Sequence, residues 1–379
     1  MRSGLSRTDI QGRMKELVDA LFTNIPSGVG SHRKDLKLGR EEERRVLKKG
    51  AKWAVERGFG TAEDLGHIEE EGCIEGSDSD CVSERALERG RAQLGTVGSG
   101  NHFVEVGYVA EVFDETIAQA MGLRKDRVTV MVHTGSRGLG HQVCDDYIRV
   151  MLDAARKYEI ELPDPQLCCA PVSSPEGRQY LRAMACAANF AFTNRQMITH
   201  WVRETFEQVF RMSPKDLMLD LIYDVCHNIA KIETHTVRGQ KKKLCVHRKG
   251  ATRAFPPDHP DIPEDYRSTG QPVLIPGDMG RCSYVLVGAK RAMEETFGST
   301  CHGAGRVMSR HQAIKAAKGR AVTKELEDKG IIVRGASRGT IVEEIPDAYK
   351  DVTNVVNVVH NAGISLKVAK LVPMGVIKG

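Results

Sequence analysis

The chain has 379 residues, of which 41% are hydrophobic, and this composition allows a substantial buried core and argues against a disordered protein. No apolar run approaches the ~20 residues of a membrane span, and the first residues lack the apolar segment of a signal peptide, so we expect a soluble, cytoplasmic protein. A net charge of +5 permits an RNA partner without requiring one, and the scattered cysteines favour reduced thiols over disulfides.

The first third of the sequence predicts helices followed by short elements. Apolar residues recur at helical spacing from Thr8 to Leu21, and a charged helix is expected from about Glu41 to Arg57. The stretch from Gly58 to Gly90 has no clear periodicity and predicts loops and short elements.

The rest of the chain mixes strands and helices. Apolar runs predict strands at Val128–Val132, Leu217–Val225 and Ile331–Val333. Helices are expected at Tyr180–Phe210, at Gly319–Lys329 and over the valines from Val352 to Val359. No repeat, low-complexity tract or linker divides the sequence, so we predict one large domain over residues 1–379.

Four segments contain a histidine beside glycines or an asparagine. They are Gly98-Ser-Gly-Asn-His102, His133-Thr-Gly-Ser-Arg-Gly, Asp224-Val-Cys-His227-Asn228 and Cys301-His302-Gly-Ala-Gly-Arg306. A single such histidine is more often a surface or capping residue than a ligand, but four histidines in similar contexts favour a functional site. Neutral imidazoles bind divalent metals such as Mn, Fe, Ni and Zn, so His102, His133 and His227 form a site if the fold brings them together.

Small-residue turns and arginines near these histidines point to phosphate. The backbone N–H groups of Gly98-Ser-Gly and Gly135-Ser-Arg137-Gly can approach a phosphate, although both also fit plain tight turns, and neither matches the P-loop pattern. Arg306 and Arg310 either neutralise phosphate near His302 or form a basic helix face. The Lys241-Lys-Lys run, near Arg238 and His247, is either an RNA contact or a solvated hairpin.

Taken in order, these segments resemble the RtcB family of tRNA-splicing RNA ligases. The resemblance rests on Gly95-Thr-Val-Gly-Ser-Gly-Asn-His-Phe-Val-Glu-Val, His133-Thr-Gly-Ser-Arg-Gly-Leu-Gly, Asp224-Val-Cys-His-Asn, His247-Arg-Lys-Gly-Ala-Thr-Arg, Ile275-Pro-Gly-Asp-Met-Gly, Cys301-His-Gly-Ala-Gly-Arg and Gly375-Val-Ile-Lys-Gly. It covers nearly the whole chain. The family fold implies an α+β architecture, with mixed, mostly antiparallel sheets packed with helices.

The resemblance implies a ligase that depends on GTP and two Mn²⁺ ions. Such an enzyme joins an RNA 3'-phosphate, or a 2',3'-cyclic phosphate after opening, to a 5'-hydroxyl, in tRNA splicing or RNA repair. His302 matches the histidine that accepts GMP, and His102, His133 and His227 match metal ligands. An archease-type activator is a possible partner.

The same resemblance implies a guanylate pocket and phosphate-binding arginines. The pocket would include Asn101, His102, Phe103, Val104, Glu105, His227, Asn228, Pro276, Gly277, Asp278, Met279, Ser283, His302, Gly303, Ala304, Gly305 and Lys378. Arg137, Arg306 and Arg310 would hold phosphates of RNA or GTP.

One family block is not found in this sequence. An Asp-x-x-Cys-Gly block, which supplies an Asp ligand and a Cys that bridges the two metals, would lie ahead of the first helix. Asp78-Ser-Asp-Cys81 lacks the following glycine and matches a different segment, and Cys226 and Cys301 are expected to face away from their neighbouring histidines. We therefore expect an N-terminally short family member with a weakened metal site.

Two other functions fit the same residues. A metal-dependent phosphoesterase would use the three histidines to activate water, and would release phosphate from RNA ends without GTP. A non-catalytic RNA-binding or nucleotide-binding remnant would retain the pocket but not the chemistry.

Overall fold

The computed structural model describes residues 1–33, 35–36 and 38–379. The α-helices are α1 (Arg7–Gln11), α2 (Met14–Asn24), α3 (Arg40–Lys49), α4 (Ala51–Glu56), α5 (Ala62–Leu65), α6 (Glu84–Arg91), α7 (Glu115–Ala120), α8 (Arg137–Lys157), α9 (Pro175–Phe210), α10 (Pro214–Leu217), α11 (Lys290–Glu295), α12 (Arg310–Ala316), α13 (Val322–Glu327), α14 (Arg338–Glu343) and α15 (Val352–Asn361). The strands are β1 (Arg2–Ser6), β2 (Phe103–Val112), β3 (Arg127–His133), β4 (Asn228–Val237), β5 (Gln240–Lys249), β6 (Ala251–Arg253), β7 (Pro272–Ile275), β8 (Ser283–Gly288), β9 (Ser299–Cys301), β10 (Ile332–Gly335) and β11 (Ser365–Lys378). None of the described helices is long and apolar enough to cross a membrane.

A seven-stranded sheet forms the centre of the molecule. Its order is β1-β3-β2-β11-β8-β7, all antiparallel, and β10 pairs in parallel with the end of β11. The long strand β11 pairs with β2 on one side, and with β8 and then β10 on the other. Two further pairs, β4–β5 and β6–β9, lie outside this sheet. The predicted α+β class with mostly antiparallel sheets is confirmed.

Side chains alternate between the two faces of the sheet and pack into different apolar clusters. On β2 and β3, Val104 and Val130 belong to the cluster that buries α2 and α9, while Phe103 and Met131 belong to a second cluster on the other face. A third cluster joins β7 and β8 to α15. Helix α9 therefore packs on one face of the sheet.

The middle of α9 is buried although several of its side chains are polar. Asn194 accepts hydrogen bonds from the backbone N–H groups of Gly95 and Thr96 and donates to the carbonyls of Thr96 and Gly135, at 2.6 to 3.1 Å. Next to it, Arg195 donates to Asp224 Oδ1 at 2.6 Å. The polar side chains of α9 thus provide hydrogen-bond partners for backbone groups of the adjoining loops.

Most predicted helices are confirmed, with different bounds. The expected helix at Tyr180–Phe210 begins earlier, at Pro175, where Ser174 caps it. The helix predicted from Thr8 is interrupted after Gln11. The one predicted from Glu41 to Arg57 is broken at Gly50, whose φ of +58° does not continue a helix, and a Cβ there would lie 2.0 Å from the Gly72 carbonyl oxygen.

The strand predicted at Leu217–Val225 is wrong. Leu217 ends α10 and Met218 is left-handed, and the rest of the segment forms isolated bridges, Arg2 with Asp220 and Ile68 with Asp224. Its apolar residues other than Met218 and Val225 are buried, and this burial explains the apolar run. The strand predicted at Ile331–Val333 is found as β10, and the valine-rich helix is found as α15.

The Asn194 contacts predict a large loss of stability on substitution. Asn194→Ala removes four hydrogen bonds to backbone groups and leaves at least the N–H groups of Gly95 and Thr96 without this partner, so we expect the free energy of unfolding to fall by about 2–4 kcal/mol. Urea unfolding followed by circular dichroism measures this. The exposed Asn354 on α15 is the matched control, and Asn354→Ala should change the same quantity by less than about 0.5 kcal/mol. Equal losses for the two variants would contradict the role assigned to Asn194.

Candidate active site

Each of the four histidines lies at the end of a strand. His102 precedes β2, His133 ends β3, His227 precedes β4 and His302 follows β9. Antiparallel pairing places Phe103 opposite His133, which brings the first two segments together. The ring centroids of His133 lie 5.7 Å from His102, 5.1 Å from His227 and 6.4 Å from His302. The four residues that sequence reasoning singled out therefore form one cluster.

Burial keeps these imidazoles neutral. It lowers the pKa of His102 to about 3 and that of His227 to about 2, and it also lowers the pKa of His133. Neighbouring cationic groups, among them Arg195 and Lys378, act in the same direction. Near neutral pH each ring thus has an unprotonated nitrogen with a lone pair.

Two of the rings are placed as a pair of metal ligands would be. His133 Nε2 and His227 Nε2 are 3.4 Å apart, which is the separation expected for two nitrogens at ~2.1 Å from one tetrahedral ion. His102 is adjacent, with Nδ1 3.4 Å from Thr134 Oγ1. In the described part of the chain, no three His, Cys, Asp or Glu side chains converge as a ready metal site. The pair fits a metal, and the three-histidine site remains a prediction.

His302 lies against this pair. Its ring stacks on that of His227, with centroids 4.4 Å apart and an interplanar angle of 27°. Burial lowers the pKa of His302, and a hydrogen bond with the Gly250 backbone partly opposes that shift. A neutral, oriented imidazole at this position can act as a nucleophile.

A cavity of about 300 Å³ opens beside His302. Of the residues predicted to contact a guanylate, it is lined by Asn101, Phe103, Glu105, Pro276, Gly277, Asp278, Met279, Ser283, His302, Gly303, Ala304, Gly305 and Lys378. It is also lined by His133, Arg306, Arg310, Glu344, Tyr349 and Val376. Sequence reasoning missed Glu344, Tyr349 and Val376 as pocket residues, because neither their spacing nor their neighbours distinguish them from ordinary helix-end and strand residues.

The other predicted pocket residues lie elsewhere. Val104 points to the opposite face of β2, into the cluster under α9, because side chains alternate along a strand. Asn228 and His227 line a different groove on the far side of the histidines. His102 is partly exposed and adjacent to His133, and it does not line the cavity.

Buried ionisable groups line one end of the cavity. Burial raises the pKa of Glu105 to about 8, and the nearby carboxylate of Asp278 adds to the shift. Burial also raises the pKa of Asp278, and it lowers the pKa of Lys378 to about 8. The Lys378 ammonium lies 3.9 Å from Glu344 and 5.4 Å from the centre of the Phe103 ring. A ligand that donates hydrogen bonds to Glu105 would stabilise its ionised form.

The three predicted phosphate-binding arginines differ in their surroundings. Arg137 donates to Thr96 Oγ1, Ser31 Oγ and the Gly28 carbonyl, and no carboxylate among the described residues pairs with it. Burial lowers its pKa to about 10.

Arg306 and Arg310 both line the cavity. Arg306 is already held by Glu344 and by two backbone carbonyls. Arg310 is exposed and 3.7 Å from Glu343. Of these three arginines, Arg137 and Arg310 therefore have more of their charge available to a ligand than Arg306 has.

The remaining cysteine motifs are not placed as metal ligands. Asp78 pairs with Arg182, and the Cys81 carbonyl accepts from Tyr147, so both lie in contacts separate from the histidines. Cys226 Sγ faces Arg195, and burial raises its pKa to about 12; burial also raises the pKa of Cys301. Both groups therefore remain thiols at neutral pH.

Comparison with known proteins gives matches along the whole chain. The family model described as tRNA-splicing ligase RtcB matches residues 1–379. A tRNA-splicing ligase RtcB of Methanococcus maripaludis is 54% identical over 379 residues, which are 100% of this chain and 79% of that protein. Its counterpart in Archaeoglobus fulgidus is 56% identical over 100% of this chain and 78% of its own length. That of Methanocaldococcus jannaschii is 54% identical, and this chain covers 39% of that longer protein.

The match extends through every segment that forms the histidine cluster and the adjoining cavity. The chain belongs to the RtcB family.

Proposed function

We propose that this protein is an RNA ligase that activates an RNA 3'-phosphate with GMP carried on His302. The relatives bear the name tRNA-splicing ligase, which supports ligation of RNA. The observation that carries the finer proposal is the position of His302, whose neutral imidazole lies between a 300 Å³ cavity and the other three histidines. A nucleotide in the cavity would present its phosphates to that ring.

The cavity suits guanine at its acidic end. Glu105 in ionised form accepts hydrogen bonds from the two N–H groups on the Watson–Crick edge of guanine, and adenine has no such pair of donors at that edge. Ser283 and Asp278 lie beside Glu105 in the wall. The small residues Gly303, Ala304 and Gly305 follow His302 and leave room for phosphates.

In the first step a nitrogen of His302 attacks the α-phosphorus of GTP. A P–N bond forms and the bond to the bridging oxygen breaks, so that its electron pair leaves with pyrophosphate. Because burial lowers the pKa of His302, the lone pair is available at neutral pH. Lys378 and Arg310 supply positive charge in the same cavity.

In the next steps an oxygen of the RNA 3'-phosphate displaces the histidine and takes the GMP. The 5'-hydroxyl of the second RNA then attacks the activated phosphorus, loses its proton and expels GMP, which completes a 3',5' phosphodiester. A 2',3'-cyclic phosphate must first be opened by water to a 3'-phosphate.

We also propose that Mn²⁺ binds at the histidines. His133 and His227 would hold it through Nε2, with His102 beside them. A bound divalent cation there would act as a Lewis acid that offsets negative charge on phosphoryl oxygens. This chain contributes neutral lone pairs, since burial lowers the pKa of each ring.

Covalent labelling tests the nucleophile. After incubation with GTP and MnCl₂, intact-mass spectrometry should show the addition of one GMP, and peptide mapping should place it on His302. His302→Ala should lose the adduct completely. The exposed His311, nine residues further on, is the matched control, and His311→Ala should label like the unmodified chain.

Two results would overturn this proposal. One is an adduct that persists in His302→Ala. The other is release of inorganic phosphate from a 3'-phosphorylated RNA at an equal rate with and without GTP, which a metal-dependent phosphoesterase would produce.

The raised pKa of Glu105 predicts a pH dependence of guanine binding. Below a pKa of about 8 the carboxyl is protonated and offers fewer acceptors, so the affinity for guanosine should rise from pH 6 to pH 8. The rise should be at most about tenfold per pH unit. Calorimetry with guanosine measures it, because guanosine has no phosphate that titrates in this range.

Glu105→Gln is the control for this pH dependence. Its amide does not titrate, so guanosine binding should be weak and constant from pH 6 to pH 8. An unmodified chain whose affinity is flat over the same range would contradict the assignment of Glu105 as the guanine acceptor.

A further inference from the structure

The two strands β4 and β5 form a ribbon whose two faces differ in charge. Pairing in register places Asn228 opposite Lys249, Thr234 opposite Lys243 and Thr236 opposite Lys241. Opposed residues share a face, so one face of the ribbon has Asn228, Ala230, Ile232, Thr234, Thr236, Lys241, Lys243, Cys245, His247 and Lys249. This set, which we term the cationic face, contains no carboxylate.

The opposite face of the ribbon is packed near its base, where its charges are paired, and Lys242 near the β4–β5 turn is exposed. Arg248 makes two hydrogen bonds to Glu233, at 2.7 and 2.8 Å, and Lys231 lies 3.0 Å from Glu69 and 2.8 Å from Glu70. Within the described residues, Lys241, Lys243 and Lys249 have no ion-pair partner. The uncompensated charge of the ribbon is therefore concentrated on the cationic face.

The base of the cationic face forms one wall of a groove of about 450 Å³. Asn228, His247 and Lys249 lie on this wall, and α8 and α9 provide the other. The backbone N–H of Ala230 contacts Met184 Sδ at 3.3 Å, which fixes the ribbon against α9.

Small and aromatic residues shape the helical wall. Gly140, Ala187, Ala188 and Ala191 leave the groove wide, and Tyr180 lines it with its ring 5.3 Å from that of Tyr147. His227 lines the groove, whereas His133 and His302 line the cavity beside His302. The groove and the cavity therefore reach the histidine cluster at different residues.

The spacing of the charges fits an extended polyanion. Alternate residues of a strand repeat every ~6.6 Å, so the charges of Lys241, Lys243 and Lys249 lie on one line at multiples of that interval, with the His247 side chain on the same line. The phosphates of an extended single strand repeat at a comparable interval, and an aromatic ring such as Tyr180 stacks on an unpaired base.

We propose that this groove and the cationic face bind the single-stranded RNA segment next to one of the reacting ends. The inference rests on the proposed ligase function and adds the surface along which the RNA approaches His227. The backbone phosphates contact the ribbon lysines, and a base near the end stacks on Tyr180.

Paired charge changes test the ribbon. Lys241→Gln/Lys243→Gln removes two charges from the cationic face, and Lys242→Gln/Lys215→Gln removes two exposed charges from outside it. Fluorescence anisotropy with a short single-stranded RNA measures the Kd at several salt concentrations. We expect the first variant to weaken binding about two- to fivefold per lysine and to reduce the salt slope by about 0.7 per lysine. The second should stay within twofold of the unmodified chain.

A second pair of variants tests the stacking contact. Tyr180→Phe keeps an aromatic ring and should bind RNA like the unmodified chain, whereas Tyr180→Leu should weaken binding about tenfold or more. The salt slope should not change in either, because no charge is lost. Thermal unfolding of both variants checks that each is folded.

Failure of the groove and failure of the ligase give different results. If His302 accepts GMP but the two lysine variants bind RNA equally, the groove proposal is overturned and the proposed function stands. If the lysine variants differ but His302 accepts no GMP, the groove stands and the proposed function fails. Two RNAs show which strand the groove binds: one has a 5'-hydroxyl and a blocked 3' end, and the other has a 3'-phosphate and a blocked 5' end. Weaker binding of either RNA by the Lys241→Gln/Lys243→Gln variant supports the groove.

Discussion

The buried guanidinium of Arg195 connects the parts of the site. It donates to Asp224 at 2.6 Å and to the Thr134 carbonyl at 3.2 Å, so one side chain of α9 holds the segment before His227 and the residue after His133. Asn194, its neighbour on the helix, binds the Gly95–Thr96 turn and the Gly135 carbonyl. Because an unpaired buried charge or amide costs several kcal/mol, these contacts restrict the loops to one arrangement. The histidines are close together because α9 leaves their loops little freedom.

The electrostatics of the site follow from burial. The histidines are neutral, while Arg137, Arg195 and Lys378 remain nearby as cations, so the positive potential does not depend on protonated imidazoles. This arrangement leaves lone pairs free for a metal or for attack on phosphorus, and it still attracts phosphate. The same burial raises the pKa of Glu105, which a guanine edge would reverse.

In the β4–β5 ribbon, tertiary packing determines which charged side chains are paired and which are not. Its sequence contains lysines, an arginine, two histidines and a glutamate close together, and their net effect cannot be read from composition. Tertiary contacts neutralise Arg248 and Lys231 with Glu233, Glu69 and Glu70 on the packed face. Lys241, Lys243 and Lys249, which have no ion-pair partner among the described residues, lie on the other face, whose base lines the groove beside His227.

The family, the mixed helix and strand content, the long helix α9 and the candidate histidines can all be predicted from the amino-acid sequence. These features depend on local periodicity and on ordered motifs. The structure was needed to show that the four histidines meet and that Val104 faces away from the cavity while Tyr349 and Glu344 line it. It was also needed to show that the apolar segment Leu217–Val225 forms isolated bridges and no strand. Contacts such as that between Arg195 and Asp224 join residues far apart in the chain, and their energies depend on burial. Local sequence patterns do not predict such contacts.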